Sequence, residues 1–423
     1  MSDVTNPVAQ DPVMPAWLQE SGPDWLQDLA AQAGERFEAH GWPHKRLEDW
    51  KYTPLTKLAG RESSLDEPSR PVTGLRSLEG AHQLTWNDDR TPARGSDLPD
   101  GVRVFGFAEA LSELPERLRP LLEELETANP ALAMSALNTA DLGRGLVLEV
   151  ADGVDAGTVA LEWTQPTDAV EGVENARLVV LLGAGAKLDL VEHYASRHVL
   201  NVVNQFELAE GSRLRHARLQ ESPTASWLIT RTELTQGRDS QFEQASLDLG
   251  SGLARHDLRS RLAESGARCI ALGAYLPTGD AHVDHHLDVR HEAPGCSSEQ
   301  TFRGVVHDRG TAVFNGRVHV LPGADDSEAH QSNQNLLLSR EAEVNTKPEL
   351  IIEADEVVAS HGATVGQLDE SAIFYLRSRG VPEFTARRML TGAFCRSVVD
   401  AIGNEVIREA FRERLEAGLE EAS

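Results

Sequence analysis

One turn keeps coming back. "GAGAKLDL" (183–190) returns as "AEGSRLRH" (209–216), "TQGRDSQF" (235–242), "AESGARCI" (263–270) and "DRGTAVFN" (308–315). Each joins short runs that alternate or stay apolar, such as "ARLVVLLG", "VLNVVNQFELAEG", "SWLITRTELTQG" and "QFEQASLDLG". Such runs, broken at Gly, Asp or Ser, read as strands. Recurrence at roughly 25 to 45 residues is the behaviour of a solenoid, whose coils each bury a face on the next. A sandwich would alternate similarly but would use tight Asn-Gly hairpins. Here Asn315-Gly316 lies inside an apolar run. The pattern favours a parallel or mixed β-helix.

The period is helical on either side of this body. Trp25, Leu26, Leu29 and Ala30 share one helical face, and "GFAEALSELPERLRPLLEELE" repeats the pattern. Towards the end, Asp369 is placed as an N-cap with Glu370 in the first turn and Gly380 as the stop. Pro382 opens a second helix, and "NEVIREAFRERLEAGLEE" makes a third. The expected organisation is a disordered start (1–15), a helical N-terminal region (16–140) with a loop-rich 61–100 stretch, a β-helix core (141–365) and a C-terminal helical domain (366–423).

A formal net charge of −27 over 423 residues makes nucleic acid a poor partner, because a phosphate backbone would be repelled over most of the surface. The start lacks a basic and an apolar signal region, and no apolar run is long enough to cross a membrane, so a cytoplasmic protein is expected. Cys269, Cys296 and Cys395 are widely separated with no CxxC, which argues against a disulfide framework. "HKRLEDWKYTPL" offers Arg46, Trp50, Lys51 and Tyr52 as a basic-aromatic patch, but a packing motif at a helix end is the stronger reading.

There is no Walker loop, G-x-S-x-G or HExxH. A polysaccharide-cleaving β-helix is disfavoured by the missing secretion signal and the few aromatics, 5% of the chain. Two places remain. In "HVDHHLDVRHEAPGC", an extended strand turns His282, Asp284, His286 and Asp288 to one side and His285 to the other. That face could bind a borderline metal, although a solvated outer face is the plainer reading. In "ASHGATVG" (359–366), His361 stands among small residues, with Gly362 and Gly366 free to use unusual φ values. It is either a turn histidine bonding backbone groups or a neutral imidazole offered to a metal or proton at an interface.

The stretches "TFRGVVHDRGTAVFNGRVHVLPGA", "QSNQNLLLSREAEVNTKPELIIEADEVVASHGATVGQLDESAIFYLRSRGV", "ARRMLTGAF" and, near the start, "HKRLEDWKYTPL" resemble the SufB/SufD family of SUF-system iron–sulfur cluster assembly scaffolds, on its SufD side. The resemblance implies a right-handed parallel β-helix between helical regions, acting as a non-enzymatic subunit. Its implied partners are SufB and the ATPase SufC, in a complex of one SufB, one SufD and two SufC, with ATP hydrolysis in SufC. A transient iron–sulfur cluster would be shared with SufB, and none held tightly by the isolated chain. His361 is the implied ligand, with Ser360 and Gly362 beside it at the interface. Ala359 stands where many members carry cysteine, so no thiolate is available there. Phe374, Tyr375, Arg377, Arg379, Arg387 and Arg388 form a mixed surface suited to docking the ATPase, on helices that would cap the last coil. A homodimer in isolation is compatible with the sequence. The alternative is a stand-alone cytoplasmic iron-binding or iron-delivery protein using "HVDHH" and His361.

Overall fold

The computed structural model describes residues 14–56, 78, 80–86, 92–94, 97–125, 129–142, 144–163, 173–196, 198–222 and 225–421. The start expected to be disordered lies outside the described residues through residue 13, as does most of the 61–100 loop region. From Arg144–Val150 to Val357–Gly366, successive strands alternate between two sheets, and each pairs in parallel with the strand two places on. The protein is therefore a parallel β-solenoid. Trp227 stands over Leu253, 26 residues later, and Thr311 over Glu343, 32 residues later.

The repeated turns explain the stacking. The Gly185 amide donates to Glu210 O and the Gly211 amide to Arg238 O, both at 2.8 Å, so each turn is bonded to the next. Both glycines sit at φ +65, in the left-handed region that costs glycine least. Asp239 holds the equivalent place at φ +53 and donates to Ser265 O at 3.0 Å. Aspartate is one of the few other residues that tolerate this conformation.

Inward-facing residues fill the space between the sheets. Leu148, Leu178, Val180, Val202, Phe206, Phe242, Phe302 and Phe314 are all buried in one cluster. Helices cover part of each outward face. On the nine-stranded sheet, helix Asp24–His40 buries the stripe Leu26, Ala30, Ala33 and Phe37, and neighbouring helices meet Val147, Val179 and Leu181. On the ten-stranded sheet, helix Glu405–Glu421 presents Ile407, Phe411, Leu415 and Leu419 at every fourth position. They cover the outward row Ala217, Leu219, Ala245, Leu247, Leu272 and Ala274.

The C-terminal helices therefore do not cap the last coil, as the sequence suggested. They lie along the sheet, because that outward row is apolar whereas three of the last strand's outward positions, Ser360, Gly362 and Thr364, are small or polar. In the N-terminal region Val102–Gly106 is a strand that pairs antiparallel with Arg144–Val150, and His82–Trp86, in the stretch expected to hold loops and short strands, adds to the other sheet.

Candidate functional site

At the C-terminal end, Glu343–Ile352 and Val357–Gly366 are the outermost strands of their sheets, each bonded to one neighbour. "VVASHGATVG" forms a strand because β-branched and small residues alternate along it. Its register places Ser360 beside His330 and His361 beside Gln331. Val357 and Ala359 pack towards Val318, Val320 and Ala329, and strand alternation puts His361 on that same inner side. No further coil covers it: His361 is exposed, and its ring has no hydrogen-bond partner among the described residues. Ser360 faces outward, its hydroxyl 2.9 Å from His330 Nδ1.

The expected turn is thus a strand that runs through Gly366. Neither Gly362 nor Gly366 has positive φ, and nothing lies within 4 Å of where a Cβ would stand. Their contribution is lack of bulk around the imidazole. The strand carries no aspartate, glutamate, lysine, arginine or proline, whereas its companion edge carries Glu343, Lys347, Pro348 and Glu349. Charge and proline on an edge block strand addition. One edge is guarded and the other is not.

The thiols cannot serve a metal at this rim. All three cysteines are buried, and burial pushes Cys269 and Cys395 up to about 12 and raises Cys296. They stay protonated at neutral pH, whereas metal ligation needs thiolate. Among the described residues the rim presents the unpartnered His361 imidazole, with His330 held to Ser360 beside it, and no thiolate.

The "HVDHH" face is half-exposed at His282, His286 and Asp288, but its central carboxylate is not. Asp284 is fully buried, pairs with Arg255 and His286 at 3.0 Å each, and accepts a hydrogen bond from Thr53. Burial opposes its ionisation, but the His286 and Arg255 charges win and hold the carboxyl below its ordinary range. Thr53 also lies 2.9 Å from His282, and Trp50 stacks on Arg255 at 3.7 Å. The "WKYT" segment thus covers this strand, which is the packing role expected of it.

His285 faces the interior. There Asp248 takes His256 Nε2 at 2.6 Å and His285 Nε2 at 3.0 Å, and all three are buried. Arg218 donates to His256 Nδ1, so His256 is neutral and donates through Nε2. Burial, then the Arg218 charge, pushes His256 down to about 4. The three ligating atoms lie within 4.8 Å of one another, but a dication there would face the Arg218 guanidinium with one carboxylate to offset both. The sequence reading missed this trio. Its signal was the coil spacing, which stacks His256 on His285 in register.

Helices Glu370–Ser378 and Glu383–Val399 place the remaining candidates. Asp369 caps the first, accepting from the Ser371 amide at 2.8 Å. Phe374 is 73% exposed and Tyr375 57%. Arg377 pairs with Glu383, Arg387 with Glu370 and Glu383, and Arg388 with Glu420, while Arg379 lies 5.3 Å over the Tyr375 ring. These pairs are exposed and contribute little to stability, so the arginines can exchange partners without unfolding the helices. A cleft of about 180 Å³ opens beside Phe384, Arg387 and Arg388. No helix among the described residues is long and apolar enough to cross a membrane.

The last coil of the β-solenoid is thus open and presents the imidazole of His361, which has no hydrogen-bond partner among the described residues. Residues 165–394 match the model of the SUF system FeS cluster assembly, SufBD core domain. The chain belongs to the SufBD family and is SufD-like. It is 29% identical over 381 residues to an iron–sulfur cluster assembly SufBD family protein of Synechocystis, covering 85% of this chain and 84% of that one. It is 28% identical over 406 residues to Escherichia coli SufD (89% of each chain) and 24% identical over 410 residues to Bacillus subtilis SufD (92% of each). Its role lies in iron–sulfur cluster assembly.

Proposed function

We propose that this chain is the SufD-type scaffold of a cytoplasmic SUF assembly complex, joined end to end with a SufB-type subunit through the open coil. The observation that carries this reading is the uncharged edge strand with exposed His361 at its centre. Iron–sulfur clusters are ordinarily held by four thiolates, and imidazole can replace some of them. A chain that presents the His361 imidazole at its open coil and keeps its thiols buried completes a site that its partner begins. The transient cluster is cargo, shared across that junction, with Ser360 and Gly362 leaving room at its edge. Phe374, Tyr375, Arg377, Arg379, Arg387 and Arg388 form the docking surface for a SufC-type ATPase, which performs the ATP hydrolysis. One SufB, one SufD and two SufC make the complex.

Anaerobic reconstitution with iron and sulfide tests this, on the chain alone and with both partners. Cluster absorption and bound iron are expected in the complex only, and are expected to vanish in His361→Ala while the complex stays intact. A stable cluster on the isolated chain would overturn the shared site. Reversing the charge of Arg387 and Arg388 is expected to abolish co-purification of SufC; unaltered recovery removes these helices from the docking surface. Against the stand-alone iron-carrier reading stands the burial of Asp284, which already pairs with Arg255 and His286 and accepts from Thr53.

A further inference from the structure

The outward face of the nine-stranded sheet holds arginines of two kinds. Arg231 meets Glu233, Arg255 meets Asp257 and Asp284, and Arg261 meets Glu292 and Glu124, each at 3.0 Å or less. Arg259, Arg290 and Arg317 have no such match. They share Asp288 alone, with Nε atoms 4.0, 3.8 and 3.3 Å from its carboxylate. The three Nε groups and Asp288 Oδ1 are shielded from solvent, yet none has a hydrogen-bond partner among the described residues. The three side chains remain between 32% and 41% exposed. All four line one cleft of about 370 Å³ together with His286 and Asn315.

Arg231 and Arg255 also line the cleft and are balanced by Asp49 and Asp257, so Arg259, Arg290 and Arg317 against Asp288 leave a local surplus of two positive charges among its lining, on a chain whose net charge is −27. We infer that this cleft binds a small dianionic oxyanion of the phosphate or phosphate-monoester class. Guanidinium is a planar fork of donors that matches tetrahedral oxyanions two hydrogen bonds at a time. The register accounts for the convergence: Arg259, Asp288 and Arg317 stand side by side on three adjacent strands, and Arg290 lies two residues beyond Asp288 on the same face. A dianion would neutralise the surplus, and a monoanion would not. Neither the imidazole rim nor the helical docking surface takes part, so this site stands or falls independently of the proposed assembly role.

Thermal shift and isothermal titration of the full chain with inorganic phosphate, at constant ionic strength and with chloride as control, test the assignment. Saturable stabilisation by phosphate but not by chloride is expected, with pyrophosphate and a phosphate monoester as further probes of the same site. Arg317→Gln and Arg290→Gln should each weaken binding by about tenfold or more, the scale of a charged hydrogen bond. Asp288→Asn removes the competing carboxylate and should tighten binding, a gain that general destabilisation cannot imitate. Arg377→Gln, on the helical surface, should leave binding unchanged. No saturable phosphate binding, or equal loss in Arg377→Gln, overturns the site; so does weaker binding in Asp288→Asn.

Discussion

The two ends of the solenoid are finished in opposite ways. At the first, the chain reverses: Val102–Gly106 runs antiparallel to Arg144–Val150, Pro92–Arg94 runs antiparallel to His82–Trp86, and helices cover Val147 and Val179. At the last, two parallel strands stop bare, with Ile351, Ile352, Val358 and Val365 each at least 40% exposed. A stack of coils needs a polar or covered terminus to remain alone in solution. The contrast shows that this fold can build a cap and, among the described residues, has one at only one end. The open end is therefore a surface, and it coincides with the free imidazole.

The largest effect should come from damaging the closed end. Leu148→Ala removes a fully buried side chain beneath the antiparallel cap and should cost about 2–5 kcal/mol, read as a lower urea midpoint. A midpoint unchanged within error would mean that this end contributes no folding energy.

Acid should act next, and on the interior. His256 and His291 are both pushed down to about 4 from 6.5 by burial, joined at His256 by the Arg218 charge. As pH falls from 6.5 towards 4 the unfolded chain gains protons that the folded chain refuses, so stability falls across that window. The loss is on the order of a few kcal/mol, at about 1.4 kcal/mol per pKa unit. His193 works the other way, since Glu162 and Glu221 raise it against the burial penalty, and offsets part of the slope. Urea titrations at several pH values check the sign, and His291→Gln should flatten the curve.

At the open end the same logic predicts little change in stability. Val358→Lys with Val365→Lys should shift the urea midpoint by no more than about 0.5 kcal/mol equivalent while abolishing pairing with a SufB-type subunit in gel filtration. His361→Ala should be the mildest of all for folding, indistinguishable from the parent in thermal melts. A marked loss of stability in either would mean that the bare strands belong to the core after all.

The solenoid was legible because its turns impose a local rule, a left-handed residue at Gly185, Gly211 or Asp239, and the rule repeats. The helices and the Asp369 cap were legible for the same reason: their signals lie within a few residues. What escaped was contact between distant segments. Thr53 reaches Asp284 across 231 residues, and no local pattern announces that a basic-aromatic stretch will lie over an acidic-histidine strand. His361 could be singled out by its small neighbours, but its isolation depends on there being no next coil. The Arg259, Arg290 and Arg317 convergence needs the register of three strands, which only the assembled sheet supplies.

The bare strand Val357–Gly366 also has a kinetic signature. Bonded to one neighbour only, it directs alternate amides into the sheet and the others into solvent. In hydrogen–deuterium exchange the isolated chain should show a two-residue beat along this segment, slow and fast in turn. Any strand added at that edge would silence the fast set and leave the slow set untouched. The protein thus carries within ten residues a readout of whether its solenoid stops at Gly366 or continues into another chain.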